Sequence, residues 1–247
     1  MADAKESTKR ISGKSALVTG GTRGIGFAVA RALLDRGARV LVCSRGGENV
    51  RRSAEVLAAS YGERVLGRVC DVRDPNNVAE MFREAGRLFG GLDILINNAG
   101  IGSRSYIEQM GGEEWRSTIE TNLSGVFYCC HEAIPLMKKS GGGDIINIGS
   151  LAGTSGFAGG GAYCASKYGL IGFSEALMQE VRYDHIRVSC VMPGSVNTGF
   201  ARGGQQDPAA TWKLAPEDVA AVVLGVLEMD SRALVSRVEV RPSEPRK

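Results

Sequence analysis

Ser15-Ala16-Leu17-Val18-Thr19-Gly20-Gly21-Thr22-Arg23-Gly24-Ile25-Gly26 is the stretch from which the fold can be read. A short apolar run of strand length passes directly into a glycine turn, and a helical pattern opens within the same turn. Glycines at positions 20, 24 and 26 give the spacing G-x-x-x-G-x-G. They permit a tight turn and let backbone N–H groups come close to a pyrophosphate, while the helix start adds the positive end of its dipole. No Gly-Lys-Ser/Thr follows, so the turn is not a P-loop. Taken alone, the same spacing also suits an ordinary strand–helix turn. Its place behind the first apolar strand favours the phosphate reading.

Outward from this turn, β-rich runs alternate with longer amphipathic stretches. The spacing predicts strands over residues 15–19, 39–44, 65–70, 93–97, 144–148, 187–192 and 234–240. Helices are predicted over 25–36, 49–60, 75–89, 113–139, 161–182 and 216–229. Asp74-Pro75 and Ala215-Pro216 are helix-start signals, with proline at the first helical position. Several strand candidates are almost wholly apolar, as strands covered on both faces are. Alternation over the whole chain, with right-handed crossovers, predicts an α/β fold: a doubly wound parallel sheet of about seven strands with helices on both faces. Residues 1–12 read as a frayed tail, 13–241 as one domain and 242–247 as a charged tail. The loop over 199–214 carries Gly203, Gly204 and Pro208 and is a candidate lid.

Composition excludes several classes. Hydrophobic residues make up 43% and charged residues 23% of 247, ordinary for a globular chain that needs no disulfide or metal staple. A net charge of +3 is too small and dispersed to argue for nucleic acid or a membrane surface. No apolar run approaches the ~20 residues of a membrane span, and the N-terminus lacks the apolar core of a signal peptide. The six cysteines form no C-x-x-C pair and mostly lie in apolar runs, which points to a reducing cytoplasm. His131 and His185 are the two histidines; without an H-E-x-x-H they read as helix-surface or helix-end residues, and no metal site is expected.

Chemistry-bearing residues fall at the strand ends. The second strand ends in Cys43-Ser44-Arg45, without the carboxylate that suits a ribose 2′-hydroxyl. Arg45 and Arg23 are placed to fork onto a 2′-phosphate, which predicts NADP over NAD. The third strand ends at Asp71-Val72, where a carboxylate can accept from an adenine amino group; the fourth ends at Asn97-Asn98-Ala99-Gly100. Gly149-Ser150 closes the fifth. Tyr163 and Lys167 stand four apart at the start of a helical pattern and so share a face. A lysine beside a phenol would lower its pKa from the ordinary ~10. Asn122 lies inside the predicted helix 113–139, where an amide is a poor helix former and a local bend could turn its amide or a freed carbonyl toward Lys167. Pro193-Gly194-Ser195-Val196-Asn197-Thr198 ends the sixth strand.

Taken together, these motifs resemble the short-chain dehydrogenase/reductase family in its compact, single-domain form, over about residues 13–240. The resemblance implies a Rossmann-type fold and an Asn122–Ser150–Tyr163–Lys167 tetrad. Tyr163 would be the acid in reduction and the base in oxidation, and Ser150 would hold the substrate oxygen. Lys167 would bind the nicotinamide ribose and depress the Tyr163 pKa; Asn122 would hold a relay water. The implied cofactor-binding set is Gly20, Thr22, Arg23, Gly24, Ile25, Gly26, Ser44, Arg45, Asp71, Val72, Asn98, Ala99, Gly100, Tyr163, Lys167, Pro193, Gly194, Val196 and Thr198. The expected activity is NADP(H)-dependent hydride transfer between nicotinamide and a small carbonyl or secondary alcohol: a ketone, hydroxy acid or 3-oxoacyl group. A dimer or tetramer is also implied, with the helices over 113–139 and 161–182 pairing.

Two departures bear on substrate. The chain is similar to 3-oxoacyl-carrier-protein reductases, many of which carry basic residues on the Tyr/Lys helix to receive an acidic carrier. Here Glu175 and Gln179 stand there, with the nearest arginine at Arg182. The ending Val238-Glu239-Val240-Arg241-Pro242 also looks more like reductases of small hydroxy acids or ketones. A silent nucleotide sensor is the alternative, disfavoured by the complete tetrad. A dehydratase or isomerase on the same fold usually has a longer C-terminal part, and a serine hydrolase would need a G-x-S-x-G elbow.

Overall fold

A computed structural model of the chain describes residues 10–200 and 207–245. Its strands are β1 (Ser15–Thr19), β2 (Arg39–Ser44), β3 (Val65–Val69), β4 (Ile94–Asn97), β5 (Gly143–Ile148), β6 (Ile186–Pro193) and β7 (Arg237–Val240). They form one sheet in the order β3-β2-β1-β4-β5-β6-β7, with every neighbouring pair parallel. The order reverses between β1 and β4. Connections leave these two strands in opposite directions and open a crevice at their carboxyl ends.

Alternate side chains of the central strands feed two cores. Ala16 and Val18 of β1 pack on one face with helices α1 (Gly24–Asp35) and α7 (Pro216–Leu227). Leu17 packs on the other with α3 (Pro75–Phe89), α5 (Gly125–Lys139) and α6 (Gly161–Val181). The remaining helices are α2 (Gly47–Tyr61) and α4 (Gly112–Ile119). Strands β3 and β7 alternate in burial along their length, because each is an edge. At α3 the local signals act as read: Asp74 accepts from Asn76 N at 2.9 Å, Pro75 occupies the first turn, and Gly90 ends the helix at φ 80°.

The structure departs from the sequence reading in three places. The predicted helix 113–139 is interrupted: a π turn, Glu120–Ser124, separates α4 from α5 and contains Asn122. Strand β7 begins at Arg237 and not at 234, since Leu234 is partly exposed in an irregular segment. The start of the chain is packed earlier than the expected boundary. Ile11 is buried in the α1/α7 core, and Arg10 pairs with Asp230 at 3.2 Å. The middle of the candidate lid, 201–206, lies outside the described residues, as do 1–9 and 246–247. The two ends of that loop are tied together. Asn197 Nδ2 donates to Asp207 O and Asp207 N donates to Asn197 Oδ1, both at 2.9 Å, and Val196 bridges Leu214.

At the opposite edge of the sheet, Asp93 joins the starts of β1 and β4. Its carboxylate accepts from Lys14 Nζ at 2.6 Å, Ser15 N at 2.8 Å and Ser15 Oγ at 2.9 Å. Burial pushes the carboxyl up, but these donors outweigh it and hold the pKa below the ordinary value. A depressed folded pKa adds stability that is complete above the unfolded value of ~3.9 and is lost as pH falls through the folded one. Asp93→Asn is expected to cost about 1–3 kcal/mol at pH 7. It should also blunt the acid-induced loss of stability, as read by urea denaturation at pH 7 and pH 3. Equal acid sensitivity in both proteins would exclude this role.

Candidate active site

The glycine turn is fixed by its neighbour across the switch point. Thr19 Oγ1 accepts from the N–H groups of Asn98 and Ala99, each at 3.0 Å. In return, Asn98 Nδ2 donates to the carbonyls of Thr19 at 3.0 Å and Gly20 at 3.1 Å. The asparagine predicted to face a cofactor therefore acts first as a clamp on the turn. Glycine is required by contact: a β-carbon at Gly26 would lie 2.4 Å from both Asn98 Nδ2 and Gly20 O. Gly24 has φ +55°, and a β-carbon there would sit 3.0 Å from Thr198 Cβ. Helix α1 has no side-chain cap and no acidic residue in its first turn, so its first N–H groups face the crevice electropositive.

A cleft of about 390 Å³ runs along this edge. One end is lined by Arg23, Ser44, Arg45 and Asn49, the other by Ser150, Tyr163, Lys167 and Phe200, with Asn98, Gly100, Pro193, Gly194, Val196 and Thr198 between. Thr22, Gly24, Ile25, Val72 and Ala99 also line it. Arg23 and Arg45 are exposed and neither forms an ion pair among the described residues. Asp71 is placed differently from its prediction. Cys70 and Val72 line the cleft, but the Asp71 carboxylate is forked by Arg73, with Nη2 to Oδ2 at 2.7 Å. Gly26 lies beneath the turn, in contact range of Gly20 O and not of the cleft.

At the reactive end, helix α6 puts Tyr163 and Lys167 on one face. Lys167 is buried; its Nζ donates to Ile148 O at 2.8 Å and stands 5.8 Å from the centre of the Tyr163 ring. Burial lowers its pKa to about 8. The Tyr163 phenol is pushed up, because burial outweighs the hydrogen bond from Ser150. This corrects the expectation that Lys167 depresses it: the ammonium is turned to the Ile148 carbonyl, and desolvation dominates. Ser150 Oγ also accepts from Ala152 N at 3.1 Å, which fixes the serine at the head of a short 3-10 turn.

Asn122 is fully buried and its amide is spent on protein. Oδ1 accepts from Ile101 N at 2.8 Å, while Nδ2 donates to Ile101 O and to Ser166 Oγ, both at 3.0 Å. Three of the four hydrogen bonds that an amide can make are thus used within the protein, and the π turn, which releases main-chain carbonyls from helical pairing, offers a further acceptor for a water. Ser166 donates on to Tyr163 O at 2.7 Å, so Asn122 reaches the tyrosine through it. Sequence reasoning passed over Ser166, although it stands between Tyr163 and Lys167. Thr121 and Asn49 were likewise missed; neither carries a motif, and only tertiary packing brings them to the cleft. His131 lies on the α5 surface beside Glu132, and His185 ends a turn at φ 58°.

A phosphate-cradling turn, a switch-point crevice and a Ser–Tyr–Lys group at its open end define a nucleotide-dependent oxidoreductase site. The model of the family described as short chain dehydrogenase matches residues 14–209, and the chain belongs to that family. It is 40% identical over 198 residues to the 3-oxoacyl-[acyl-carrier-protein] reductase FabG of Escherichia coli, covering 80% of each chain. It is 36% identical to dehydrogenase/reductase SDR family member 11 of Gallus gallus, covering 96% of this chain and 98% of the relative. Among solved structures, an alcohol dehydrogenase of Thermococcus sibiricus complexed with 5-hydroxy-NADP aligns with a TM-score of 0.88 at 27% identity, over 95% and 98% of the two chains. A metagenomic short-chain oxidoreductase in complex with NADP aligns at 0.83 and 34%, over 96% and 100%.

Gly26→Ala tests the clamp. The added methyl meets backbone as well as an amide, so the turn must shift. Denaturant unfolding should show a loss of about 1–3 kcal/mol, the usual cost of overpacking. An unchanged midpoint would mean that the turn is not held as described.

Proposed function

We propose that this chain is an NADP(H)-dependent reductase of small carbonyl compounds that works reversibly on the corresponding secondary alcohols. The observation that carries this reading is the cleft itself. Ser150, Tyr163 and Lys167 gather at one end, and at the other stand two arginines that have no ion pair and no lining carboxylate among the described residues. The residues fit the cofactor. The glycine turn leaves room that a β-carbon would fill, and Arg23, Arg45 and Ser44 offer donors where a 2′-phosphate would lie. The NADP and 5-hydroxy-NADP bound by the two structural relatives support the same assignment.

When bound, NADPH supplies the hydride that reaches the carbonyl carbon. Tyr163 then gives its proton to the carbonyl oxygen, and Ser150 holds that oxygen and stabilises the charge that develops on it. Lys167, with N–H donors beyond the one given to Ile148 O, would hold the nicotinamide ribose. A phenol raised by burial stays protonated across the neutral range, which suits an acid in the reductive direction. Glu175 and Gln179, where carrier-binding relatives place basic residues, support a free substrate over a carrier-bound one. Half-exposed Trp115, Phe127 and Tyr168 on α4, α5 and α6 support a homo-oligomer built on these helices. The six cysteines, all free and buried, suit a reducing cytoplasm. We take the catalytic domain to run from Arg10 to about 241.

Tyr163→Phe should keep the fold and NADPH affinity while turnover falls at least ~10²-fold, the lower end for loss of a general acid. Near-wild-type turnover would sink the mechanism. The kcat/KM of reduction should decline above about pH 8, where Lys167 loses its proton, and not near the tyrosine range. A profile flat to pH 10 would remove Lys167 from the ionisation that matters. Replacing Arg23 and Arg45 together by small neutral residues should weaken NADPH and leave NADH little changed. Each charge-assisted contact contributes about 1.5–3 kcal/mol. A wild-type preference for NADH, by fluorescence titration, would refute the cofactor assignment.

A further inference from the structure

Phe200 follows β6 and no sequence motif marks it. Its ring lines the cleft, with its centroid 6.2 Å from that of Tyr163 and the planes tilted by 53°. The ring lies against Gly102: a β-carbon there would be 3.0 Å from Phe200 Cε1. Gly102 is held on both sides. Asn122 grips Ile101 by its N–H and carbonyl, and Glu114 accepts from Ser103 Oγ and Ser105 Oγ, each at 2.8 Å. The loop after β4 is therefore a fixed wall, and Phe200 is seated on it beside the proton donor. Phe200 is nevertheless 46% exposed, so a large flat apolar face remains open next to the phenol.

Charge narrows the choice of ligand. The charged side chains that line the cleft are Arg23 and Arg45, at the far end, and Lys167, which is committed to the Ile148 carbonyl. Arg104, on the loop wall, lays its stem toward Gly159 and does not line the cleft. Among the described residues, then, no free cation faces the space beside Ser150 and Tyr163. The groups there are two hydroxyls, Ile101, Val196 and the Phe200 ring. An aromatic face at this distance accepts another ring in stacked or edge contact.

We propose that the substrate is a neutral ketone bearing an aryl or similarly flat apolar group on its carbonyl carbon, and that Phe200 is the specificity-determining face against which that group lies. This rests on the reductase reading above. Atoms and electrons balance as in that reading: hydride from NADPH to the carbonyl carbon, the Tyr163 proton to the oxygen, with NADP⁺ and a 1-arylalkanol as products.

The test compares wild type, Phe200→Ala and Phe200→Tyr on acetophenone, 2-butanone and benzoylformate, with NADPH affinity measured in parallel. Wild type should favour acetophenone over both others in kcat/KM, by at least ~10-fold over 2-butanone, a factor in the range that apolar pocket contacts supply. Phe200→Ala should erase most of that ratio, through a rise in KM for acetophenone that exceeds any change for 2-butanone. Phe200→Tyr should restore it. A wild-type preference for 2-butanone or benzoylformate would overturn the proposal. So would an equal loss on both ketones in Phe200→Ala, or a loss of NADPH binding. In each of those cases turnover itself upholds the reductase reading. No turnover of any ketone, with NADPH bound, would overturn the reductase reading and this proposal together.

Discussion

The reciprocal clamp between Thr19 and Asn98 is the constraint on which the cleft depends. It joins the ends of β1 and β4, the two strands between which the sheet order reverses. Backbone diverges there, so donors and acceptors of the two turns have no ladder partners and must be satisfied otherwise. One hydroxyl and one amide satisfy four of them. The glycine turn is thereby held open toward solvent, with the free N–H groups of α1 aimed at the crevice. Gly26 allows the amide to lie against the turn at all.

A second chain of polar contacts does for the reactive end what the clamp does for the nucleotide end. Asn122 reaches the loop after β4 through Ile101 and helix α6 through Ser166, and Ser166 reaches the Tyr163 carbonyl. An amide at the centre of a helix would ordinarily cost stability. Here the π turn rotates it inward, where all of its contacts are buried and paired. The loop after β4 and helix α6 are therefore held together through one residue. A local irregularity in the helix is the condition for it.

Burial, more than pairing, sets the electrostatics of the Tyr163–Lys167 pair. An ammonium near a phenol favours the phenolate, whereas desolvation disfavours it. In this structure desolvation prevails for both groups: the phenol rises and the ammonium falls to about 8. The two shifts move the groups' proton affinities apart, so the ammonium gives up its proton before the phenol does, and both act before any substrate binds. At the opposite edge of the sheet, Asp93 and the Arg187–Asp144 pair, at 2.7 Å, tie strands and helices together far from the chemistry. Stability and reactivity are thus divided between the two edges of one sheet.

The strand–helix alternation, the seven strands and much of the cleft lining were legible in the sequence, because buried parallel strands are apolar runs and glycine turns are set by local sterics. Tyr163, Lys167, Ser150 and Asn122 were legible for the same reason: short spacings fix which residues share a helix face or a strand end. What the sequence left open was decided by contacts between residues far apart in the chain. Asp71 is turned to Arg73, Asn98 serves the turn, and Asn122 binds Ile101 and Ser166. Ile11 joins the core, and Phe200 meets Gly102 and Tyr163. A side chain's partner across the fold depends on three-dimensional packing, and so does the balance of burial against charge that sets its pKa. Neither has a local period that sequence alone could display.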